Sequence, residues 1–370
     1  MPASTKLRIV VVDDSLNMRS LLDRAFSEVD DMEVVGAASK SGKAITAVSR
    51  LNPDIVVINA EMPDMDGVTA LNKMREEQPG LPAIVFTSHR EGSASMGLRV
   101  LGMPNTKWMT RPTASEALGG AGETWEEMLF AVRYLTGRAD PPSVEVPEPS
   151  APLPAEGDAR KRRGPYSVLV IGASTGGTDA LTEVLSELPS SLPVPVVIVQ
   201  HMPSGFTRQF AQRLDSNSEL RVKQGVAGEV LSPGNAYLAP GGFHMLIQRE
   251  ANELKLCLNK DPKEHCCRPA VDPMFRSAVE ACGSSVLAVI LTGMGFDGAA
   301  GCGAVRAAGG RVLIQDEATS VVWGMPGEVH RTGQADEVHP LGDVALAIAS
   351  NLFLAQSKSN KSEDKEVNQS

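Results

Sequence analysis

Short, continuously apolar runs alternate with amphipathic stretches along most of the chain, and that rhythm predicts its elements. In the first third, residues 7–12, 33–38, 54–59, 82–87 and 107–110 have the composition of strands. Between them, residues 15–28 carry Met18, Leu21, Leu22 and Ala25 on one helical face, and residues 67–77 have a similar period. Strands alternating with helices imply βαβ units, a parallel sheet and helices on both of its faces. Residues 167–172, 194–200, 286–291 and 311–315 continue the series as buried parallel strands, being apolar throughout rather than alternating. Residues 235–239, 243–248 and 253–258 read as a meander inserted among them.

Two segments break the rhythm. Residues 139–164, rich in proline and charge, cannot bury enough surface to offset their ordering entropy and read as an extended linker ending in the solvated basic run Arg160, Lys161, Arg162, Arg163. Residues 356–370 read as a polar, disordered tail. The expected organisation is therefore one α/β domain over 1–138, the linker over 139–164 and a second, doubly wound α/β domain over 165–355. A length of 370 residues agrees with two domains of roughly 150.

Charge and composition narrow the function. A net charge of −10 and 4% aromatics argue against a nucleic-acid binder, which needs a concentrated basic surface or stacking platforms. No apolar run approaches the ~20 residues that span a bilayer, so no membrane insertion is expected. The first run ends at Asp13 and Asp14 and is no signal-peptide core. Five cysteines are too few and too uneven for a disulfide framework. A soluble, reduced, cytoplasmic protein is expected.

In the first domain Asp13 and Asp14 follow the first strand, Asn59 ends the third, Thr87 ends the fourth and Arg111 follows the fifth. In an open parallel sheet these ends converge where ligands bind. The motifs VVDDS (Val11 to Ser15), NAEMPDMDG (Asn59 to Gly67), FTS (Phe86 to Ser88) and TRP (Thr110 to Pro112) resemble the receiver domain of two-component response regulators, a flavodoxin-like fold with a five-stranded parallel sheet. In that family an aspartate at the end of the third strand accepts a phosphoryl group, acidic residues after the first strand hold Mg2+, and a lysine pairs with the phosphate. Here the acceptor position is Asn59 and the lysine position is Arg111. A carboxamide is not a usable nucleophile towards phosphorus. With one carboxylate fewer, the site suits a hard cation less well, which argues against Mg2+ although Asp14 remains as the metal ligand implied by the resemblance. The expectation is a receiver fold not phosphorylated by the usual route. Asp64 and Asp66 follow in the loop as substitute acceptors, disfavoured by that position.

The second domain carries more chemistry. Its first strand runs into Gly172-Ala173-Ser174-Thr175-Gly176, a literal G-x-S-x-G, followed by a helix over 179–187. In that motif small residues allow a tight strand-to-helix turn that exposes the serine hydroxyl, and the helix N-terminus favours an oxyanion. Phosphate cradling by a dinucleotide site predicts another glycine spacing and an acidic end to the next strand, which instead ends in Gln200-His201. His201 is thus the candidate base, with His244 in reserve; His265 has no visible partner. Asp297, in the glycine-rich loop after another buried strand, is the candidate acid, with Asp272 its rival and equally a helix cap. The adjacent Cys266 and Cys267 lack zinc-site spacing and read as buried thiols.

The motifs IGASTGG (Ile171 to Gly177), QHMPSGFT (Gln200 to Thr207), YLAPGGFHM (Tyr237 to Met245), RPAVDPMF (Arg268 to Phe275), LTGMGFDGAAG (Leu291 to Gly301) and WGMPG (Trp323 to Gly327) resemble the catalytic domain of the chemotaxis protein-glutamate methylesterases, the CheB family. The resemblance implies Ser174 as nucleophile, His201 as base, Asp297 as its orienting partner, and backbone N–H groups near Met294, with Thr175, as oxyanion hole. It implies hydrolysis of γ-glutamyl methyl esters on methyl-accepting chemotaxis receptors, release of methanol, deamidation of receptor glutamines, no catalytic cofactor, and a chemotaxis histidine kinase as a second partner. In the family the receiver restrains the esterase and phosphorylation relieves that restraint. The alternative reading is a non-catalytic, receptor-docking regulator with a degenerate receiver.

Overall fold

Five strands of the first unit, β1 (Leu7–Val12), β2 (Met32–Ala38), β3 (Ile55–Asn59), β4 (Ala83–Thr87) and β5 (Thr106–Thr110), pair in parallel in the order β2-β1-β3-β4-β5. Every residue of β3 and β4 is buried, which explains their unbroken apolar sequence. Helices α1 (Leu16–Ser27), α2 (Ser41–Leu51), α3 (Gly67–Glu77) and α4 (Glu123–Leu135) connect and flank them. Ser15 caps α1 by accepting the Met18 N–H, and Asp66 caps α3 by accepting the Thr69 N–H. The strand order reverses between β1 and β3, so Asp13, Asp14 and Asn59 share the crevice there. This is the expected flavodoxin-like receiver.

The computed structural model describes residues 6–87, 100, 103–112, 123–138 and 165–367. The expected linker, 139–164, lies outside the described residues. The chain divides into the units Met1–Asp140 and Pro141–Ser370.

In the second unit the strands β6 (Val168–Ala173), β7 (Val196–Gln200), β8 (Arg221–Gln224), β9 (Asn235–Leu238), β12 (Val286–Ile290), β13 (Arg311–Gln315) and β14 (Glu337–His339) form a seven-stranded parallel sheet, ordered β14-β13-β12-β6-β7-β9-β8. The antiparallel ribbon of β10 (His244–Glu250) and β11 (Glu253–Asn259) stands apart from it. The helices are α5 (Gly177–Glu187), α6 (Thr207–Ser216), α7 (Val271–Cys282), α8 (Ala299–Ala307), α9 (Met325–Arg331) and α10 (Leu341–Val367). Val168, Val170, Val197, Val199, Val286 and Phe275 belong to one buried cluster, each such side chain stabilising by about 1.5–3 kcal/mol.

Two expectations are corrected. The supposed meander is split: β9 joins the main sheet in parallel beside β7, because Ala236, Tyr237 and Leu238 are all buried, while only β10 and β11 form a hairpin. The tail read as disordered continues as helix to Val367. Nothing in 356–367 is glycine or proline, so helix started by the packed residues Val344, Ile348 and Leu352 propagates into it.

Candidate active site

Strand order in the second unit reverses at β12-β6, and the crevice beyond the carboxyl ends there is where such sheets hold ligands. β6 delivers Ser174 to it, 3% exposed. The turn is held from several sides. Ser174 N–H donates to Thr292 O at 3.1 Å, Gly177 N–H donates to Ser174 O at 2.8 Å, and Gln200 Nε2 donates to the same carbonyl at 2.8 Å. Gly176 takes φ +79°, a left-handed conformation that glycine adopts without steric cost, and α5 begins immediately after it. A Cβ at Gly177 would lie 2.3 Å from Gln200 Oε1, so the sequence needs both glycines for this turn.

His201 follows β7, its N–H bonded to Ala173 O at 3.1 Å, which fixes it beside the serine turn. Its side chain is 7% exposed, and Nε2 lies 2.7 Å from Asp297 Oδ2. Asp297 also accepts the N–H groups of Val271, at 2.6 Å, and Asp272, at 3.0 Å. These are the first donors of α7, so the carboxylate sits on the positive end of a helix. Burial alone would raise Asp297, but His201 and the α7 amides reverse this and lower its pKa. Burial likewise opposes charge on His201. The Cys267 sulfur and the Asp297 carboxylate beside it outweigh burial and push its pKa up to about 10.

With Nε2 engaged by the acid, Nδ1 is the nitrogen left for a nucleophile. Among the described residues Ser174 Oγ makes no hydrogen bond to it; the group on Nδ1 is Cys267 Sγ, at 3.5 Å. Of the expected oxyanion donors, the backbone N–H groups of Thr175 and Met294 make no backbone hydrogen bond among the described residues. Met294 is brought in by Gly293, where an added Cβ would lie 2.8 Å from Ser174 Cβ. Thr292 braces both sides, its Oγ1 donating to Thr175 O at 3.0 Å and accepting the Val322 N–H at 3.0 Å.

The reserve candidates are spoken for. His244 accepts the Ala270 N–H on Nδ1 and reaches Pro262 O with Nε2, so both nitrogens serve backbone. Asp272 does not cap α7; it accepts the Gly301 N–H at 2.6 Å and holds His265 Nε2 at 2.7 Å. His265, expected to lack a partner, therefore has one, and its ring stacks edge-on against Phe296. Burial works against charge on His265, but Asp272 and Asp297 raise its pKa nonetheless. The turn Glu264 to Cys267 is closed by reciprocal backbone bonds, with φ of 52° at His265 and 61° at Cys266. Two non-glycine residues in the left-handed region, the geometry of a type I′ turn, cost about 1–2 kcal/mol each. That turn swings His265 to Asp272 and Cys267 to His201. Cys267 is half-buried rather than buried as expected. Only the left-handed turn reveals the contact, and no local sequence signal marks His-Cys as such a turn.

In the first unit the five expected groups divide among three contacts. Arg111 pairs with Asp13, Asn59 with Asp14, and Thr87 Oγ1 accepts the Trp108 Nε1–H at 2.7 Å. Burial raises the Asp13 pKa, the Arg111 guanidinium opposing it. Asn59 Nδ2 donates to Asp14 Oδ1 and to Glu61 O, both at 3.1 Å. Those are the oxygens a hard cation would take, and an N–H donor between them stands in the cation's stead. The residues therefore do not fit Mg2+. Asp64 accepts the N–H groups of Ser41 and Gly42 at the start of α2, and Asp66 caps α3, so both substitute acceptors are occupied with helix ends.

Known proteins resemble both halves of the chain. The CheB methylesterase family matches residues 169–348, and the response regulator receiver domain family matches residues 9–118. A protein-glutamate methylesterase/protein-glutamine glutaminase of a Nocardioides species is 40% identical over 351 residues, covering 94% of this chain and 95% of the relative. One from Trichodesmium erythraeum is 36% identical over 345 residues, covering 93% and 98%. The crystal structure of the Thermotoga maritima CheB methylesterase catalytic domain is 44% identical, covers 50% of this chain and 97% of its own, and has a TM-score of 0.49. With such identity over nearly the full length of both curated relatives, the chain belongs to the CheB family of protein-glutamate methylesterases/protein-glutamine glutaminases.

Proposed function

We propose that this chain hydrolyses γ-glutamyl methyl esters on methyl-accepting chemotaxis receptors, and deamidates receptor glutamines by the same route. The observation that carries this reading is the buried His201–Asp297 pair at the sheet's switch point, beside a serine on a tight strand-to-helix turn. Ser174 attacks the ester carbonyl as His201 takes its proton through Nδ1. Asp297 steadies the imidazolium through Nε2, and the N–H groups of Met294 and Thr175 receive the oxyanion. Methanol leaves with the proton from His201, or ammonia when the substrate is an amide. Water activated by the same ring then frees the γ-carboxylate and Ser174. None of these steps calls for a cofactor.

A chemotaxis histidine kinase is a partner in this reading, but not a phosphoryl donor to Asn59. The Arg111–Asp13 and Asn59–Asp14 contacts, which already engage both acidic residues, support that reading. Five free thiols fit a reducing, cytoplasmic setting, and among the described residues no helix is long and apolar enough to cross a membrane. Methanol release from a methylated receptor fragment tests the function. A chain that binds the fragment and releases none would be the docking regulator instead.

A further inference from the structure

The nitrogen that Ser174 needs is in contact with a different nucleophile. Cys267 Sγ lies 3.5 Å from His201 Nδ1, while Nε2 of the same ring is 2.7 Å from Asp297. The three side chains form a Cys–His–Asp chain, with the base oriented by a buried acid as nucleophilic sites require. The contact has structural support from both ends. The left-handed turn at His265 and Cys266 presents Cys267, its N–H donating to Glu264 O at 2.8 Å. His265 in turn is tied to Asp272, whose own N–H is bonded to Asp297. Cys267 is half-buried rather than sealed in the core.

We propose that Cys267 is a second nucleophile on the His201–Asp297 pair and a modification site for hydroperoxides and other small, soft electrophiles, and that its oxidation switches the esterase off. Proton transfer from sulfur to Nδ1 gives a thiolate beside an imidazolium, the environment that makes a cysteine reactive. The thiolate attacks one peroxide oxygen; the S–O bond forms and the O–O bond breaks. The departing hydroxide takes the proton from Nδ1 and leaves as water. Sulfur is oxidised by two electrons to the sulfenic acid and the peroxide is reduced. The new S–OH donates to Nδ1 and keeps it from Ser174. Two thiols of a dithiol reductant return the sulfenic acid to thiol, releasing water and a cyclic disulfide. The raised pKa of His201, in which the Cys267 sulfur is a main cause after burial, agrees with this pairing. The loss of activity rests on the esterase reading, whereas the thiol chemistry does not.

The test uses the full chain in two arms. Iodoacetamide labelling at pH 7, read by peptide mass spectrometry, is expected to modify Cys267 at least ~10-fold faster than Cys257 or Cys282. In the His201→Gln chain that advantage is expected to vanish. Hydrogen peroxide followed by dimedone is expected to place the adduct on Cys267. In parallel, peroxide should abolish methanol release and dithiothreitol restore it, while Cys267→Ala keeps its own untreated rate under peroxide. Labelling of Cys267 no faster than of the other thiols, or equal peroxide inactivation of Cys267→Ala, would overturn the proposal. If the untreated chain released no methanol, the labelling arm would still decide the thiol chemistry, and only the esterase reading would have failed.

Discussion

Asp297 shows how one carboxylate serves two structures at once. It completes the first turn of α7 through two backbone N–H groups and orients His201 through the same Oδ2 that accepts Val271. Asp297→Asn keeps the shape but removes the charge that stabilises the imidazolium, so turnover should fall by about 10⁴-fold. Methanol release by purified variant measures this. The pKa shifts fix the sign of the pH behaviour. His201, raised to about 10, contributes stability that is full below about 6.5 and is lost as pH rises through about 10. Asp297 is lowered, so its contribution is present above about 3.9 and disappears as pH falls through its folded value. The base must be neutral to act, hence kcat/KM should rise with pH above 7, and Cys267→Ala should move that rise to lower pH. A pH–rate profile of both chains checks this; identical profiles would separate the Cys267 sulfur from the base.

At the scale of elements, the glycine turn between β6 and α5 decides where the nucleophile points. Gly177→Ala places a methyl 2.3 Å from Gln200 Oε1, and relieving it should cost about 1–3 kcal/mol, visible as a lower Tm with a disproportionate loss of turnover. Asp66→Ala, by contrast, should cost about 1 kcal/mol of receiver stability through loss of the α3 cap and leave the esterase rate unchanged. The β6 turn was legible in the sequence because its signals are local: a buried strand, small residues, then a helix. So were β3, β4, β7 and β12, buried along their whole length and apolar up to their last residue, and β1, whose apolar run only Arg8 interrupts. β8 and β14 were not, since Arg221 to Gln224 holds one apolar residue and Glu337 to His339 one valine, and pairing at the sheet edges defines them rather than composition. The split between β9 and the β10-β11 ribbon depends on which neighbour β9 finds, a tertiary choice. Cys267 escaped for a related reason. It meets a histidine 66 residues away through a turn whose left-handed residues are neither glycine nor asparagine.

For the whole molecule, a receiver fold with Asn59 at the end of β3 is joined to a methylesterase domain that carries Ser174, His201 and Asp297 at the carboxyl ends of its strands. The receiver's acidic pair is engaged from within: Arg111 forms an ion pair with Asp13, and the Asn59 amide donates a hydrogen bond to Asp14. A small phosphodonor with Mg2+ should therefore give no hydroxylamine-sensitive acyl phosphate and no change in esterase rate. A phosphorylated peptide from the receiver would contradict this. The most direct measurement is methanol release from a methylated receptor fragment by the full chain and by Ser174→Ala, at equal concentration and with matched circular dichroism. The wild-type chain should turn over and the variant should fall by roughly 10⁶-fold, to background. Turnover by Ser174→Ala near the wild-type rate would contradict the assignment of the nucleophile and the mechanism built upon it.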